Sequence, residues 1–406
     1  ADVSHYVKPG SPLDNEAVLR MNSTYFPRRC VPMLPHELSD NLCSLKEGVI
    51  RLTVSVFMYF DNKGDMQHYR ITKSYIKSQK RFTYKEAKAV LDGKLRSKHA
   101  ATLNEMMQLL LLLKEKRKQR GSVELYLPEL FIHVDENGKP THTEVIEYDI
   151  SHQMVEEFML RANETIATHL AKQGKNLTYR IHEEPSKESL REFSALAAAF
   201  GFELPQDPSP YDIKKFFLEA EGSSSAQYLA TCYIKSMKLA CYSADNIGHY
   251  GLGLTYYCHF TSPIRRYVDV IAHRMLFTNE PPDKDAFDAI CSIASEKERI
   301  SAKAENSAML LKKLRLLGSM TEETKQRQFE CVVTRVKPFG IYFDAIELML
   351  EGFLHVSELE NDYFVYDDRK MRLIGSRHDI TYVAGDVIYV MVKKIDYILK
   401  EASWQI

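Results

Sequence analysis

Apolar residues recur with a helical period through much of residues 84–317, whereas the chain beyond residue 328 alternates with a period of two. Amphipathic helices are predicted at 84–92, 101–119, 151–172, 186–201, 211–220, 223–241, 263–278 and 284–317. Alternating segments follow at 329–336, 341–344, 352–357 and 385–390. The pattern therefore predicts an α+β part, a division near residues 318–328, and a short all-β unit after it.

The composition is that of a globular protein with a large core. A length of 406 residues suggests two or three domains, and 45% of the residues are hydrophobic. The seven cysteines include no Cys-x-x-Cys pair, which indicates reduced thiols and disfavours both a disulfide framework and a zinc site. The longest apolar run, 106–113, is too short to cross a bilayer, and no signal peptide is visible. We therefore expect a cytoplasmic protein.

The net charge of −1 is unusual for a nucleic-acid-binding protein, because such proteins commonly have a basic surface. If nucleic acid binds, we expect a locally positive channel inside a more acidic exterior. The densest basic run, residues 114–120, ends a predicted helix and is expected to form its solvated face. The sequence leaves open whether this run also contacts phosphates.

The most informative segment reads HFTSPIRRY. Ser262 is a favoured N-cap residue and Pro263 is tolerated at the first helical position, so a helix is predicted to begin here. Arg265 and Arg266 would then lie in its first turn, where the helix dipole is already positive. Two guanidinium groups and free backbone N–H groups favour an anion, phosphate above all. Alternatively, the arginines are solvated or pair with Asp269.

Residues 248–254, just before this segment, are rich in glycine, which lets a backbone approach a ligand closely, and 255–260 is a strand-like aromatic run. Together, GHYGLGLTYYCHFTSPIRRYVDVIAHR resembles the signature of the ribonuclease II/ribonuclease R (RNB) family of 3′→5′ exoribonucleases. Further segments resemble the same family in the same order: ADVSHYVKPGSPLDNEA, STYFPRRCVPMLPHELSDNLCSL, MVEEFMLRAN and RIHEEPS.

The resemblance implies an RNB-type catalytic domain at 1–325, truncated at its N-terminus, followed by an S1-type RNA-binding domain at 329–406, which is a five-stranded OB-fold barrel. It further implies processive hydrolysis of single-stranded RNA from the 3′ end to nucleoside 5′-monophosphates, in RNA degradation and turnover. Single-stranded RNA is the expected partner. We expect a monomer that does not act on DNA and is not associated with a membrane.

The resemblance also assigns roles to individual residues. Arg265 matches the arginine that contacts the scissile phosphate, and Arg266 is the second catalytic candidate. Tyr25 matches an aromatic residue that pins the RNA near its 3′ end, Tyr84 one that contacts the sugar and favours ribose, and Glu156 a glutamate that hydrogen-bonds a sugar hydroxyl. The other RNA-binding candidates are His259, Ser262, Glu305, Phe339, Tyr342 and His355.

Some of these residues also have a simpler structural interpretation. Without the resemblance, Glu156 beside Glu157 would be a solvated pair on a helix. Phe339 and Tyr342 would pack inside the barrel, although strand alternation places Tyr342 on the face opposite to its two neighbours and favours its exposure as a stacking platform.

Family members hold magnesium with a cluster of aspartates. The resemblance places that cluster upstream of Ala1, so the Mg²⁺ ligands are expected outside this chain, and Asp2 matches a position outside the cluster. The acidic groups at 61–65 and 135–137 are expected in hairpin turns, and 367–368 in a solvated loop. No metal ligand is predicted within the chain. Two functions therefore stay open: a magnesium-dependent exoribonuclease, or a catalytically silent RNA-binding fragment or relative.

Overall fold

A computed structural model describes residues 1–122, 129–223, 225–278, 284–323, 327–359, 362–368, 370–378 and 380–406. The α-helices are α1 (Val3–Tyr6), α2 (Pro12–Arg20), α3 (Tyr84–Leu91), α4 (Ala100–Gln119), α5 (Ile150–Lys172), α6 (Lys187–Ala199), α7 (Pro210–Ala220), α8 (Ala226–Ser236), α9 (Tyr267–Phe277) and α10 (Lys284–Glu323). The strands are β1 (Thr24–Phe26), β2 (Arg29–Val31), β3 (Ile50–Phe60), β4 (Met66–Lys77), β5 (Glu129–Val134), β6 (Pro140–Ile146), β7 (Tyr179–Ile181), β8 (Cys241–Ser243), β9 (Gln328–Lys337), β10 (Gly340–Ala345), β11 (Leu350–His355), β12 (Phe364–Asp367), β13 (Arg372–Gly375), β14 (Thr381–Tyr382), β15 (Val387–Asp396) and β16 (Glu401–Gln405).

Most of the predicted helices are present within a few residues of their predicted ends. The helix expected at 223–241 is shorter, because the chain leaves α8 and enters β8, which pairs with β7. The strand expected at 255–260 is wrong: this run makes isolated bridges, such as that between Cys258 and Tyr179, instead of a ladder. The helix expected at 263–278 starts later, at Tyr267.

The core of the α+β part surrounds α9. Val270 and Ala272 of this helix are fully buried, and they belong to one cluster with Ile166 and Leu170 of α5 and Val3 of α1. Burial of apolar surface is the main force that drives folding, so a helix enclosed in this way is a fixed reference for the segments that join it. The HFTSPIRRY segment enters α9 directly and is therefore anchored to this core.

Two antiparallel hairpins, β3–β4 and β5–β6, confirm the interpretation of the acidic pairs as turns. Asp61 accepts the backbone N–H groups of Lys63 and Asp65, each at 2.9 Å. Asp135 accepts those of Asn137 at 2.9 Å and Lys139 at 2.8 Å. These side chains stabilise the turns through bonds that Asp makes to the backbone two residues on.

The C-terminal unit is a five-stranded antiparallel sheet in the order β11-β10-β9-β15-β16, and contacts between β11 and β16 bring its edges together. Ile341 and Phe343 are fully buried, whereas Tyr342 points to the other face and stays partly exposed. The predicted α+β part followed by a barrel is therefore confirmed, and so is the predicted facing of Tyr342.

Helix α10 connects the two parts. Its 40 residues correspond to about 60 Å of helix at 1.5 Å per residue. The helix contacts β1, β6 and β8 of the α+β part and β15 of the barrel. Near its C-terminal end, Leu314 and Leu317 are buried in the barrel core. A single rigid element thus carries side chains to both parts.

All seven cysteines are free thiols. Among the helices that the structure describes, none has the length and apolar character needed to cross a bilayer.

Gly352→Ala should destabilise the barrel selectively. Gly352 lies opposite Phe343 in the β10–β11 pair, and a Cβ atom there would meet the Phe343 ring and lie 2.9 Å from Nε1 of Trp404. Overpacking of this kind costs about 1–3 kcal/mol. Trp404 is the only tryptophan, so its fluorescence during thermal unfolding reports the barrel alone. Val387→Ala, on an exposed site of β15, is the control; equal melting of both variants would contradict the prediction.

Candidate nucleic-acid interface

The two arginines of HFTSPIRRY lie in a turn before α9 and outside its first helical turn. Arg266 directly precedes the helix with extended backbone angles (φ −138°, ψ 123°), and the N–H groups of Arg265 and Arg266 both donate to the Ser262 carbonyl at 3.1 Å. The prediction that Ser262 caps the helix is therefore wrong. The reason is Asp269, whose Oδ1 accepts the backbone N–H of Ser262 at 2.7 Å and fixes the turn instead.

Asp269 and Arg266 form a buried ion pair. Asp269 is fully buried, and its Oδ1 also accepts a hydrogen bond from Nη2 of Arg266 at 2.9 Å. Burial opposes the charge of Arg266, but Asp269 together with the nearby Tyr242 and Tyr257 raises the pKa of the guanidinium above its ordinary value. The sequence left open whether the two arginines bind an anion, are solvated or pair with Asp269. In the structure, Arg266 pairs with Asp269. Arg265, in contrast, is exposed and makes no side-chain ion pair with any residue the structure describes.

Backbone hydrogen bonds join this turn to the N-terminal segment. Ser23 donates its N–H to the carbonyl of Arg265 at 3.0 Å, and Tyr267 donates to the carbonyl of Met21 at 2.8 Å. A bridge between Asn22 and Arg266 lies between these two bonds. The pairing brings β1, which follows directly in the chain, to the side of Arg265.

Four of the predicted site residues line a single cavity, of about 170 Å³, beside this turn: Tyr25, Arg265, Arg266 and Glu305. The Oε1 atom of Glu305, on α10, accepts the backbone N–H of Tyr25 at 2.6 Å, so the glutamate fixes the position of the aromatic residue. The Tyr25 side chain is about half exposed, which leaves a ring face open to a ligand. The cavity therefore combines an exposed aromatic ring with an unpaired guanidinium.

His259 lies behind this cavity and supports its wall. Its Nδ1 lies 2.8 Å from the hydroxyl of Tyr242, which lines the cavity. Burial, with the nearby cations Arg266 and Arg180, lowers the pKa of His259 well below its ordinary value, so the ring is neutral. Arg180 in turn bonds Glu298 at 2.6 Å and lies 4.8 Å from the Tyr242 ring centroid. Sequence reasoning missed Tyr242, Arg180 and Glu298, which are far apart in the chain.

Tyr84 and Glu156 form a second group. Tyr84 begins α3 after the N-cap residue Thr83, and its ring stacks on His152 of α5 with the centroids 3.8 Å apart. Glu156 lies one turn further along α5 and hydrogen-bonds both Arg117 and Tyr148. The structure thus places both predicted residues beside one stretch of α5, and neither of them lines the cavity that Arg265 lines.

The expectation of a solvated basic run at 114–120 is wrong for Arg117. This residue is 7% exposed, and its Nη1 bonds Glu156 at 3.2 Å and Glu157 at 3.3 Å. Glu157 is itself 1% exposed, so the idea that both glutamates are solvated is wrong as well. A buried carboxylate requires a cation close by, and sequence alone does not show which residue of a basic run supplies it.

The barrel presents an aromatic cluster that is larger than predicted. Tyr342 lies opposite Phe353 with ring centroids 4.8 Å apart, and Phe339, which is about half exposed, lies 5.8 Å from Phe353. Arg335 lies 4.3 Å from the Tyr342 ring centroid. Sequence reasoning missed Phe353 and Arg335, although their registry with Tyr342 on neighbouring strands is the signal that identifies them. His355 is exposed at the edge of the cluster.

Positive charge is distributed unevenly. Residues 66–99, which span β4 and α3, contain ten lysines and arginines and only two acidic residues. Lys77, Lys80, Arg81, Arg96 and Lys98 are all exposed. A near-neutral chain thus carries a strongly basic surface beside Tyr84.

In the part of the chain that the structure describes, the carboxylates do not fit a magnesium site. Over the described ranges, no three His, Cys, Asp or Glu side chains cluster closely enough to bind a metal ion together. Asp2 is occupied as the N-cap of α1, where it accepts the Ser4 hydroxyl at 2.6 Å and the His5 N–H at 3.1 Å. Asp61 and Asp135 are occupied in their turns.

Comparison with known proteins identifies the class. Residues 1–279 match the RNB domain and residues 323–405 match the S1 RNA binding domain. Because the first match spans well over half of the chain, the protein belongs to the RNB family. It is 40% identical over 408 residues to ribonuclease R of Chlamydia pneumoniae, an alignment that covers 100% of this chain and 60% of that protein. This chain therefore spans somewhat more than half the length of that relative.

Solved structures show the same fold. Mycoplasma genitalium RNase R, in complex with ribose methylated single-stranded RNA, matches with a TM-score of 0.91 at 28% identity, over 100% of this chain and 66% of that one. Yeast Ssd1, a pseudonuclease, matches with a TM-score of 0.76 at 20% identity, over 92% of this chain and 47% of that one, and this likeness concerns the fold alone.

Arg266→Gln should destabilise the protein far more than Arg265→Gln. Removing the Arg266 charge leaves Asp269 buried without its cation, which costs about 3–5 kcal/mol. The neighbouring exposed arginine serves as the matched control, and its loss should change stability by no more than about 0.5 kcal/mol. Urea unfolding followed by circular dichroism measures both values. Equal stability of the two variants would show that the ion pair does not hold the turn.

Proposed function

We propose that this chain is the RNB and S1 part of a 3′→5′ exoribonuclease similar to bacterial ribonuclease R, which hydrolyses single-stranded RNA processively to nucleoside 5′-monophosphates. The observation that carries the proposal is the cavity that Tyr25, Arg265 and Glu305 share. Arg265 makes no side-chain ion pair with any residue the structure describes, and a free guanidinium beside an exposed aromatic ring suits a phosphate next to a base. The two carboxylates in the cavity lining are occupied elsewhere: Glu298 pairs with Arg180, and Glu305 accepts the backbone N–H of Tyr25. The relatives' name and the RNA-bound structural neighbour support the same assignment.

Within this proposal, each residue of the cavity has a definite task. Arg265 directs its guanidinium at the scissile phosphate and stabilises the charge that develops on the phosphoryl oxygens as water attacks. Tyr25 stacks on a base near the 3′ end, a contact that tolerates any sequence. Arg266 and Asp269 hold the turn, and His259 and Ser262 support it from behind. Glu305 keeps Tyr25 in place through its backbone N–H.

The RNA path in this proposal uses the other two groups of residues. Tyr84 and Glu156 contact the sugar, and a 2′-hydroxyl contact distinguishes RNA from DNA. Phe339, Tyr342 and His355 on the barrel guide the strand toward the cavity, because exposed aromatic rings are stacking platforms for bases. The basic surface at 66–99 attracts phosphates to the same side as Tyr84.

The proposal extends to the metal and the cellular setting. Magnesium is the expected cofactor, with ligands upstream of Ala1; the carboxylates that the structure describes do not fit it. The protein would act as a cytoplasmic monomer on RNA and leave DNA intact. A second candidate function, RNA binding without hydrolysis, is favoured by that same lack of fit.

The direct test uses single-stranded RNA labelled at its 5′ end and magnesium. This chain and a version extended by the segment encoded before Ala1 are compared for stepwise shortening of the RNA and for release of nucleoside 5′-monophosphates. We expect shortening by the extended protein, with binding but no cleavage by this chain. If the extended protein binds RNA without shortening it, the silent RNA-binding alternative is correct.

Arg265→Lys in the extended protein should lower turnover at saturating RNA at least about tenfold and change affinity much less. Lysine keeps the charge but loses the planar fork that contacts two phosphoryl oxygens, and the loss of one such preorganised donor has an effect of this size. Single-turnover kinetics and RNA affinity measured with magnesium omitted separate the two effects. A large loss of affinity with unchanged turnover would make Arg265 a binding residue only.

A further inference from the structure

Arg117 connects two helices through two adjacent carboxylates. It extends from α4, and its Nη1 lies 3.2 Å from Oε1 of Glu156 and 3.3 Å from Oε2 of Glu157, both on α5. Arg117 and Glu157 are buried, whereas Glu156 is only half-buried. The arginine therefore links an interior ion pair to a carboxylate that reaches the surface.

Both oxygens of Glu156 are held. Arg117 contacts Oε1, and the hydroxyl of Tyr148 donates to Oε2. With both oxygens anchored, rotation of the carboxylate is blocked and its plane is defined. An ionised carboxylate has about four lone-pair sites, so roughly two remain available to accept a hydroxyl. The arrangement presents a fixed acceptor to an incoming donor.

The charges around Glu156 balance. Arg117, Arg120 and Arg161 face Glu156, Glu157 and Glu164, with Arg120 3.7 Å and Arg161 2.9 Å from Glu164. Three cations and three anions leave the group without net charge. An isolated carboxylate would repel the phosphates of RNA, whereas a neutralised one accepts a hydrogen bond without that penalty.

The same arginine contacts the glycine-rich segment. Nε of Arg117 donates to the Ser122 hydroxyl at 3.3 Å, and that hydroxyl donates to the carbonyl of Gly251 at 3.2 Å. Gly251 belongs to the segment that leads into HFTSPIRRY. Arg117 thus joins Glu156 to the segment that carries the scissile-phosphate arginine, although Arg117 itself lies too deep to touch RNA.

We propose that Arg117 and Tyr148 are positioning residues that hold the Glu156 carboxylate as the acceptor for one ribose 2′-hydroxyl, and so determine the preference for RNA at one nucleotide. The inference rests on the proposed function for the role of Glu156. Because the inference concerns RNA binding alone, it can be tested without magnesium and without hydrolysis.

The experiment measures binding of this 406-residue chain to fluorescent single-stranded RNA with magnesium omitted. A single 2′-deoxynucleotide is placed at each of the 3′-terminal positions in turn. For the wild-type chain we expect the 2′-deoxynucleotide to weaken RNA binding about tenfold at one position only. A loss of this size is the effect of removing one hydrogen bond to a charged group. Glu156→Gln should abolish most of that position-specific penalty.

Tyr148→Phe and Arg117→Lys should each reduce the penalty at the same position at least about threefold and leave the other positions unchanged. Tyr148→Phe removes one anchor and leaves the buried Arg117–Glu157 pair intact, so it tests the idea even if the arginine variant misfolds. Arg120→Met is the matched control: it removes a cation that pairs with Glu164 and does not contact Glu156. The lost charge lowers affinity for every oligonucleotide alike, and the position-specific penalty should stay in full. In the Glu156→Gln background, Tyr148→Phe should have no further effect.

Several results would overturn this inference. One is that Tyr148→Phe leaves the position-specific loss of affinity at its wild-type value. Another is that Tyr148→Phe and Arg117→Lys lower the affinity for every oligonucleotide equally, which indicates a general structural effect. RNA binding with no position-specific penalty would refute the positioning role and leave the proposed exoribonuclease in place. Lack of RNA binding by the wild-type chain would refute both proposals.

Discussion

The buried ion pair of Asp269 and Arg266 is the constraint on which the candidate site depends. Asp269 holds the turn before α9 by accepting the Ser262 amide, and it pairs with Nη2 of Arg266, whereas Arg265 is exposed and makes no side-chain ion pair with any residue the structure describes. The same turn pairs through its backbone with residues 21–23 and so brings Tyr25 alongside. One interior carboxylate thus determines which arginine points outward and which aromatic residue meets it.

Helix α10 gives this site a mechanical connection to the barrel. Glu298, Ser301 and Glu305 share one face of the helix at spacings of three and four residues and line the cavity, while Leu314 and Leu317 further along are buried in the barrel core. Because α10 is packed at both ends, it fixes the distance between the cavity and the barrel. The aromatic surface of the barrel and the cavity at Arg265 are therefore held in a fixed relation, as a strand of RNA that spans both would require.

Much of the fold could be predicted from the sequence, because periodicity reports which faces are buried. Alternation in β10 placed Tyr342 on the outer face, and the Asp-rich turns were correct. The start of α9 could not be predicted, because Ser262 and Pro263 form a strong local helix signal that Asp269 overrides from seven residues away. Arg117 was assigned to a solvated face for a similar reason: its buried partner Glu157 lies forty residues further along the chain. Local rules failed where a buried carboxylate decided the structure: Asp269 acts through a backbone hydrogen bond seven residues away, and Glu157 through an ion pair forty residues away.

The central claim is that the 3′ end of an RNA strand lies between Tyr25 and Arg265. Photocrosslinking tests it most directly, with a 4-thiouridine at the 3′-terminal region of a single-stranded RNA bound to this chain and the attachment sites mapped by mass spectrometry. The account predicts crosslinks in peptides that contain Tyr25 or the HFTSPIRRY turn, and their loss in Arg266→Gln, where the turn is released. Crosslinks confined to other surfaces, with neither of these peptides labelled, would contradict it.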